Sequence, residues 1–223
     1  TATYKVRAEY STDISASELP EGETALRFEF VVTYVQADDT AEEWAPYGNE
    51  IVTATITGDA TTVENGSFAY MTALEEVNIL FSLGTIEAYA FQYCENLKSV
   101  FTGSIAEIQE FSFYHCSALE SVDIYGGLPE GKVGRNIFLD CVNLSDVTLR
   151  NGTLEIGEAM FKGCSSLEEI ILPESLLVIG DSAFDGTALK TIRIPTDVKE
   201  IQKGVFTKCT ELEEVVVDTK NDN

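Results

Sequence analysis

Five cysteines and a single histidine carry most of the nucleophilic and metal-binding chemistry that this 223-residue chain offers. Cys94, Cys116, Cys141, Cys164 and Cys209 each stand three residues after a phenylalanine. A zinc site calls for closely spaced ligands such as C-x2–4-C, and a disulfide framework calls for pairs. Neither pattern is present, and Met71 and Thr187 fill the same slot in two other places. The column reads as buried thiols packed as small hydrophobes. His115 stands in a loop slot held elsewhere by Tyr70, Tyr93, Asp140, Gly163, Gly186 and Lys208, without a matched nucleophile or orienting acid. No P-loop, dinucleotide fingerprint, H-E-x-x-H or calcium-loop spacing occurs, so no catalytic residue or cofactor is assigned and an enzyme is not expected. Two smaller groups remain. Asp146 and Glu169 are like-charged neighbours and a weak candidate for a cation, while Trp44 and Tyr47, in the polar stretch 36–49, are a pair able to stack on a sugar ring.

These residues must be positioned by a repeat. Phe68, Phe91, Phe113, Phe138, Phe161, Phe184 and Phe206 follow one another at steps of 23, 22, 25, 23, 23 and 22 residues. Five residues before each stands a Val or Ile, such as Ile156, and beyond each a leucine, such as Leu167, followed three residues later by Val or Ile, such as Ile170. Self-similarity at such a period is the signature of a solenoid. The segment Leu-x-x-Val-x-Ile obeys strand alternation, with Val and Ile inward and their neighbours outward. A second stretch, typified by Leu176, Ile179, Ala183 and Phe184, returns across the other face, with Gly157, Gly163, Gly180, Gly186 and Gly204 supplying turns. Seven coils at the ~4.8 Å strand spacing stack to about 34 Å with a parallel sheet along one side. One coil cannot bury its own Phe and Leu, so stability resides in the interfaces between coils. The fourth unit is lengthened around 126–131.

Outside the repeat, residues 1–50 read as a β-rich cap: 4–10 and 26–34 alternate with period two, and 11–19 reads as a short helix. The solenoid spans 51–217, in about seven repeats of 22–25 residues, and 218–223 is a polar tail. Fourteen Lys and Arg against 38 Asp and Glu leave a formal charge of −24, which argues against nucleic acid or anionic lipid as a partner. No apolar run approaches the ~20 residues of a membrane span, and no stretch reads as a signal peptide.

The pattern I-G-x-x-A-F-x-x-C-x-x-L-x-x-I-x-I-P resembles the BspA-like leucine-rich repeats of bacterial surface proteins and some protozoan ones. Ile179, Gly180, Ala183, Phe184, Leu189, Ile192, Ile194 and Pro195 match it, with Thr187 in place of Cys. The resemblance implies an α/β-type repeat solenoid: a right-handed leucine-rich-repeat coil with a parallel sheet on one face and a small β-rich N-terminal cap. It also implies an exported, cell-surface or outer-membrane-anchored protein that binds a protein partner, such as a host extracellular-matrix protein.

The outward columns locate a candidate surface. Directly after each leucine come Glu75, Lys98, Glu120, Ser145, Glu168, Lys190 and Glu213, which bring opposite charges onto neighbouring coils at two places and so set register. The column after each Val or Ile reads Asn78, Phe101, Asp123, Thr148, Ile171, Arg193 and Val216. Phe101, Asp123, Tyr125, Ile171 and Arg193 are the expected partner-binding residues, since aromatic and apolar side chains left outside by folding are candidate anchors. The alternative is glycan binding through Trp44 and Tyr47.

Overall fold

The computed structural model describes residues 5–7, 29–35, 51–57, 62–79, 83–125 and 127–218, and of residues 5–7, 29–35, 57, 101–103 and 125 the backbone alone. The expected helix at 11–19 therefore lies outside the described residues, as do Trp44, Tyr47 and 219–223. In chain order the strands are β1 (Lys5–Arg7), β2 (Glu29–Val35), β3 (Thr53–Thr57), β4 (Thr62–Val63), β5 (Glu76–Ile79), β6 (Leu83–Ile86), β7 (Ser99–Ile108), β8 (Ser121–Tyr125), β9 (Asp146–Leu149), β10 (Glu155–Ile156), β11 (Val178–Ile179), β12 (Thr191–Ile194), β13 (Glu200–Ile201) and β14 (Glu214–Val217). The main sheet runs β1-β2-β3-β5-β7-β8-β9 and is parallel everywhere except at β1–β2. β7 turns the corner of its coil, so that its second half pairs with β6, which pairs in turn with β4.

The chain is a β-solenoid of about seven turns, and the α/β label needs correction because the described residues contain no helix. The reason lies in the turns that carry the phenylalanines. In the fifth coil the Lys162 N–H donates to the Ala159 carbonyl (3.2 Å) and the Cys164 N–H to the Phe161 carbonyl (3.1 Å), two overlapping turns of the kind that could begin a helix. Ala159 (φ 50°) and Gly163 (φ 77°), however, are left-handed, and a right-handed helix cannot propagate through them. This conformation aims three N–H groups at the next coil: Ala159 to Asp181 O (2.8 Å), Phe161 to Ala183 O (2.9 Å) and Gly163 to Asp185 O (2.8 Å). The same two positions, two residues either side of the Phe, are left-handed in every coil. In the last coil the N–H groups of Gly204, Phe206 and Lys208 find no acceptor among the described residues.

Inside, the seven phenylalanines form one stack of near-parallel rings. Centroid spacings are 5.0, 5.1, 5.3, 5.6, 5.6 and 6.0 Å from Phe68 to Phe206. Over the first four coils, whose strands are hydrogen-bonded at ~4.8 Å, the ring spacings of 5.0–5.3 Å are larger, so the turn side is the longer and the sheet lies on the concave face. Beside the rings runs the cysteine column. Each thiol donates to a phenylalanine carbonyl of the coil before it: Cys94 to Phe68, Cys116 to Phe91, Cys141 to Phe113, Cys164 to Phe138 and Cys209 to Phe184, at 3.0–3.3 Å. Thr187 turns its hydroxyl to Phe184 O of its own coil instead (3.0 Å). All five cysteines are free. Burial pushes the Cys94 thiol up to about 12 and those of Cys116 and Cys164 well above the usual range.

Two local readings change in the structure. Gly163, Gly186 and Gly204 are left-handed turn residues, but Gly157 and Gly180 are not. A Cβ at Gly157 would stand 2.5 Å from the Gly134 carbonyl oxygen, so glycine there permits close approach of two coils. The sheet is also not continuous. No backbone hydrogen bond joins 169–172 to either neighbouring strand, and β12 pairs only with β14. The inward–outward alternation nonetheless persists, with Ile170 and Leu172 buried. The gap coincides with Asp146 and Glu169, both exposed, whose like charges oppose pairing across that step.

Candidate interaction surfaces

The concave sheet face carries the outward column in the expected order. Register pairs Asn78 with Phe101, Phe101 with Asp123, and Asp123 with Thr148, and beyond the gap it pairs Arg193 with Val216. A register shift between Phe101 and Ser104 sets Tyr125 opposite Ser104. The side chains of Phe101 and Tyr125 lie outside the described ones. Ile171 is 85% exposed, the most exposed of the large hydrophobic residues described.

Part of the charge on this face is paired within the fold. Arg150 grips Asp123 with two hydrogen bonds, Nε to Oδ1 at 3.1 Å and Nη2 to Oδ2 at 2.5 Å. Arg193 donates from Nη1 to Glu174 Oε1 (2.8 Å) and from Nη2 meets Asp218. Lys98 pairs with Glu75 (2.7 Å) and Lys190 with Glu168, the two cross-coil pairs that the column of charges implies. Exposed to solvent and screened by it, such pairs specify register more than they stabilise the fold. Arg150 was not evident among the columns, although it stands two residues beyond Thr148, the diagonal neighbour of Asp123, which is a distance a guanidinium spans. Asp146 and Glu169 gather no third ligand: no group of three His, Cys, Asp or Glu able to hold a metal lies among the described residues.

The opposite, convex face presents a second surface. Tyr70, Tyr93 and His115 follow one another up three coils with centroids 5.2 and 5.0 Å apart. Beside them Tyr89 stacks on Phe111 at 5.4 Å. Tyr114 stands edge-on to Tyr93, Phe111 and His115 and ties the two rows together. Tyr70 is 60% exposed and the others are half-buried. The Tyr93 and Tyr114 hydroxyls lie 3.4 Å apart, and that hydrogen bond, with burial, pushes the Tyr114 phenol up to about 12. Nδ1 of His115 is buried without a hydrogen-bond partner. The sequence signal for this cluster was present as three aromatic residues in one loop column.

A stack of parallel-stranded coils, each closed by a left-handed turn on a shared phenylalanine spine, defines a leucine-rich-repeat solenoid. The chain belongs to the BspA type leucine rich repeat family, whose description it matches over residues 42–130 and 131–223 in six copies. Among solved structures it is similar to a leucine rich cell surface protein of Faecalibacterium prausnitzii, at 26% identity and a TM-score of 0.56 over 79% of this chain and 41% of that one. The chain thus spans less than half the length of that relative. It also shares its fold with a leucine-rich repeat protein of Bacteroides ovatus, at 19% identity and a TM-score of 0.57 over 96% of this chain and 70% of that one. No curated protein matches the chain in sequence.

Proposed function

We propose that this chain is a non-enzymatic scaffold displayed on a bacterial cell surface, binding a protein partner through the concave sheet face. The observation that carries the reading is Ile171, a large apolar side chain 85% exposed on a sheet face where Asp123 and Arg193 are already paired. A large exposed hydrophobe rimmed by polar and charged side chains has the anatomy of an interface centre. Phe101, Asp123, Tyr125 and Arg193 extend the contact along the same face. Surface display is supported by family membership and by the description of the F. prausnitzii relative as a cell surface protein. No helix among the described residues is long and apolar enough to cross a membrane.

The test is capture of matrix proteins and glycans by the immobilised chain at several salt concentrations. Ile171→Ser combined with Phe101→Ala and Tyr125→Ala is expected to abolish protein capture at nearly unchanged melting temperature. Capture that survives this triple change refutes the sheet-face site. Loss on Trp44→Ala with Tyr47→Ala instead would move the site to the N-terminal loop and to a glycan.

A further inference from the structure

The convex face of the first three coils is built differently from the rest. In the first three coils five of the six left-handed turn positions are aromatic, Tyr70, Tyr89, Tyr93, Phe111 and His115, the exception being Gly66. In the last four coils none is: these hold Asn136, Asp140, Ala159, Gly163, Ser182, Gly186, Gly204 and Lys208. The backbone demands φ between about 50° and 77° at every one of these positions, and glycine meets the demand without steric cost. A tyrosine there is strained, and these rings stack on one another rather than on the phenylalanine spine, so packing of the spine does not explain the choice. The result is a rigid platform of ring edges and faces, each backbone pinned to the next coil, as Tyr93 N–H is to Tyr114 O at 2.8 Å.

The unpaired charge described around the platform is acidic. Glu64 and Glu95 are exposed and Asp140 half-buried, and none of the three has an ion-pair partner among the described residues. Glu95 stands two residues after Tyr93, and Asp140 follows His115 in the same column. The nearby cations Lys132 and Arg135 are committed to Glu107 (2.8 Å) and Glu110 (3.1 Å). Tyrosine faces attract cations through the ring quadrupole, and carboxylates supply the remaining charge. A guanidinium, flat and weakly hydrated, fits a stacked-ring surface better than an ammonium does.

We propose that this aromatic and acidic platform, centred on Tyr70 and Tyr93, binds an arginine-bearing linear segment of a partner protein. It is a second surface, on the face opposite the sheet. The experiment is calorimetric titration of the full chain with a short peptide of alternating Arg and Gly, the Lys and Glu counterparts of that peptide, and a neutral oligosaccharide. The expected order is Arg tighter than Lys, with no binding by Glu or sugar, and affinity falling as salt rises. Tyr70→Gly with Tyr93→Gly removes the rings and relieves the backbone, so it keeps the fold and weakens the Arg peptide at least about fivefold. Ile171→Ser on the sheet face leaves this binding unchanged. Equal affinity for the Arg and Lys peptides, preference for the sugar, undiminished binding by the glycine variant, or loss of peptide binding on Ile171→Ser would each overturn the proposal.

Discussion

Removing a ring from the middle of the phenylalanine spine should cost far more than removing the last one, and the structure sets the ratio. Phe161 is fully buried, with Phe138 and Phe184 each 5.6 Å away on either side. Phe161→Ala deletes two ring contacts and leaves a cavity that backbone hydrogen bonds to the adjacent coils prevent from closing. A loss of ~3–5 kcal/mol follows, since large-to-small changes in a rigid core carry both the transfer and the cavity cost. In a domain of this size that is a fall in melting temperature of about 6–20 °C. Phe206 is only half-buried and meets one ring, Phe184 at 6.0 Å, so Phe206→Ala should cost about 1–2 kcal/mol. Urea and thermal unfolding followed by circular dichroism measure both. If the two variants lose equal stability, the spine is not the continuous element that couples the coils.

Further outcomes follow from the same geometry. In the native state Cys94, Cys116, Cys141 and Cys164 should resist a thiol reagent while the less buried Cys209 reacts first; fast labelling of all five would contradict the buried column. The folded Cys94 thiol is raised from 9.0 to about 12 and the Tyr114 phenol from 10.0 to about 12. A folded value above the unfolded one means stability that is intact below the unfolded value and drains as pH rises toward the folded one. Urea midpoints should therefore hold steady up to about pH 9 and decline between there and pH 12. Tyr93→Phe removes the hydroxyl hydrogen-bonded to Tyr114, so one phenolate absorbance step should move down toward 10.0; an unmoved step would detach the two hydroxyls. Glu169→Lys turns the repulsion with Asp146 into attraction and should raise stability by ~0.2–1 kcal/mol; a destabilised variant would mean that charge does not keep 169–172 out of the ladder.

The repeat and its inward columns were open to reading from the residues alone, because burial in a solenoid depends only on position within the period. Phe, Leu and the Val or Ile of each unit face the core in every coil that has a neighbour on both sides, and the buried set follows those columns; in the last coil, with no described coil beyond it, Ile201 and Val215 are exposed and Phe206 and Leu212 half-buried. Pairs in adjacent coils at equal positions, such as Glu75 with Lys98, are likewise a matter of counting.

What lies across the period needed the tertiary structure. Whether Phe161 sits on a helix or on a turn depends on the sign of φ at Ala159 and Gly163, and the reason for that sign is a hydrogen bond to a coil that is some 22 residues away in sequence. Asp123 stood among the outward residues as an expected partner contact, and its pairing with Arg150, just past the end of the next strand, came into view only with the structure. The break in the sheet at 169–172 depends on strand separation, which a list of outward residues does not contain. Tyr70, Tyr93 and His115 were readable as a column, but that they stack, and that Tyr114 joins them to the row of Tyr89 and Phe111, depends on coil pitch and ring orientation. Sequence by itself determined what repeats and what is buried, since period and polarity suffice for that; the structure decided what touches across coils, since that rests on angles and separations that no spacing encodes.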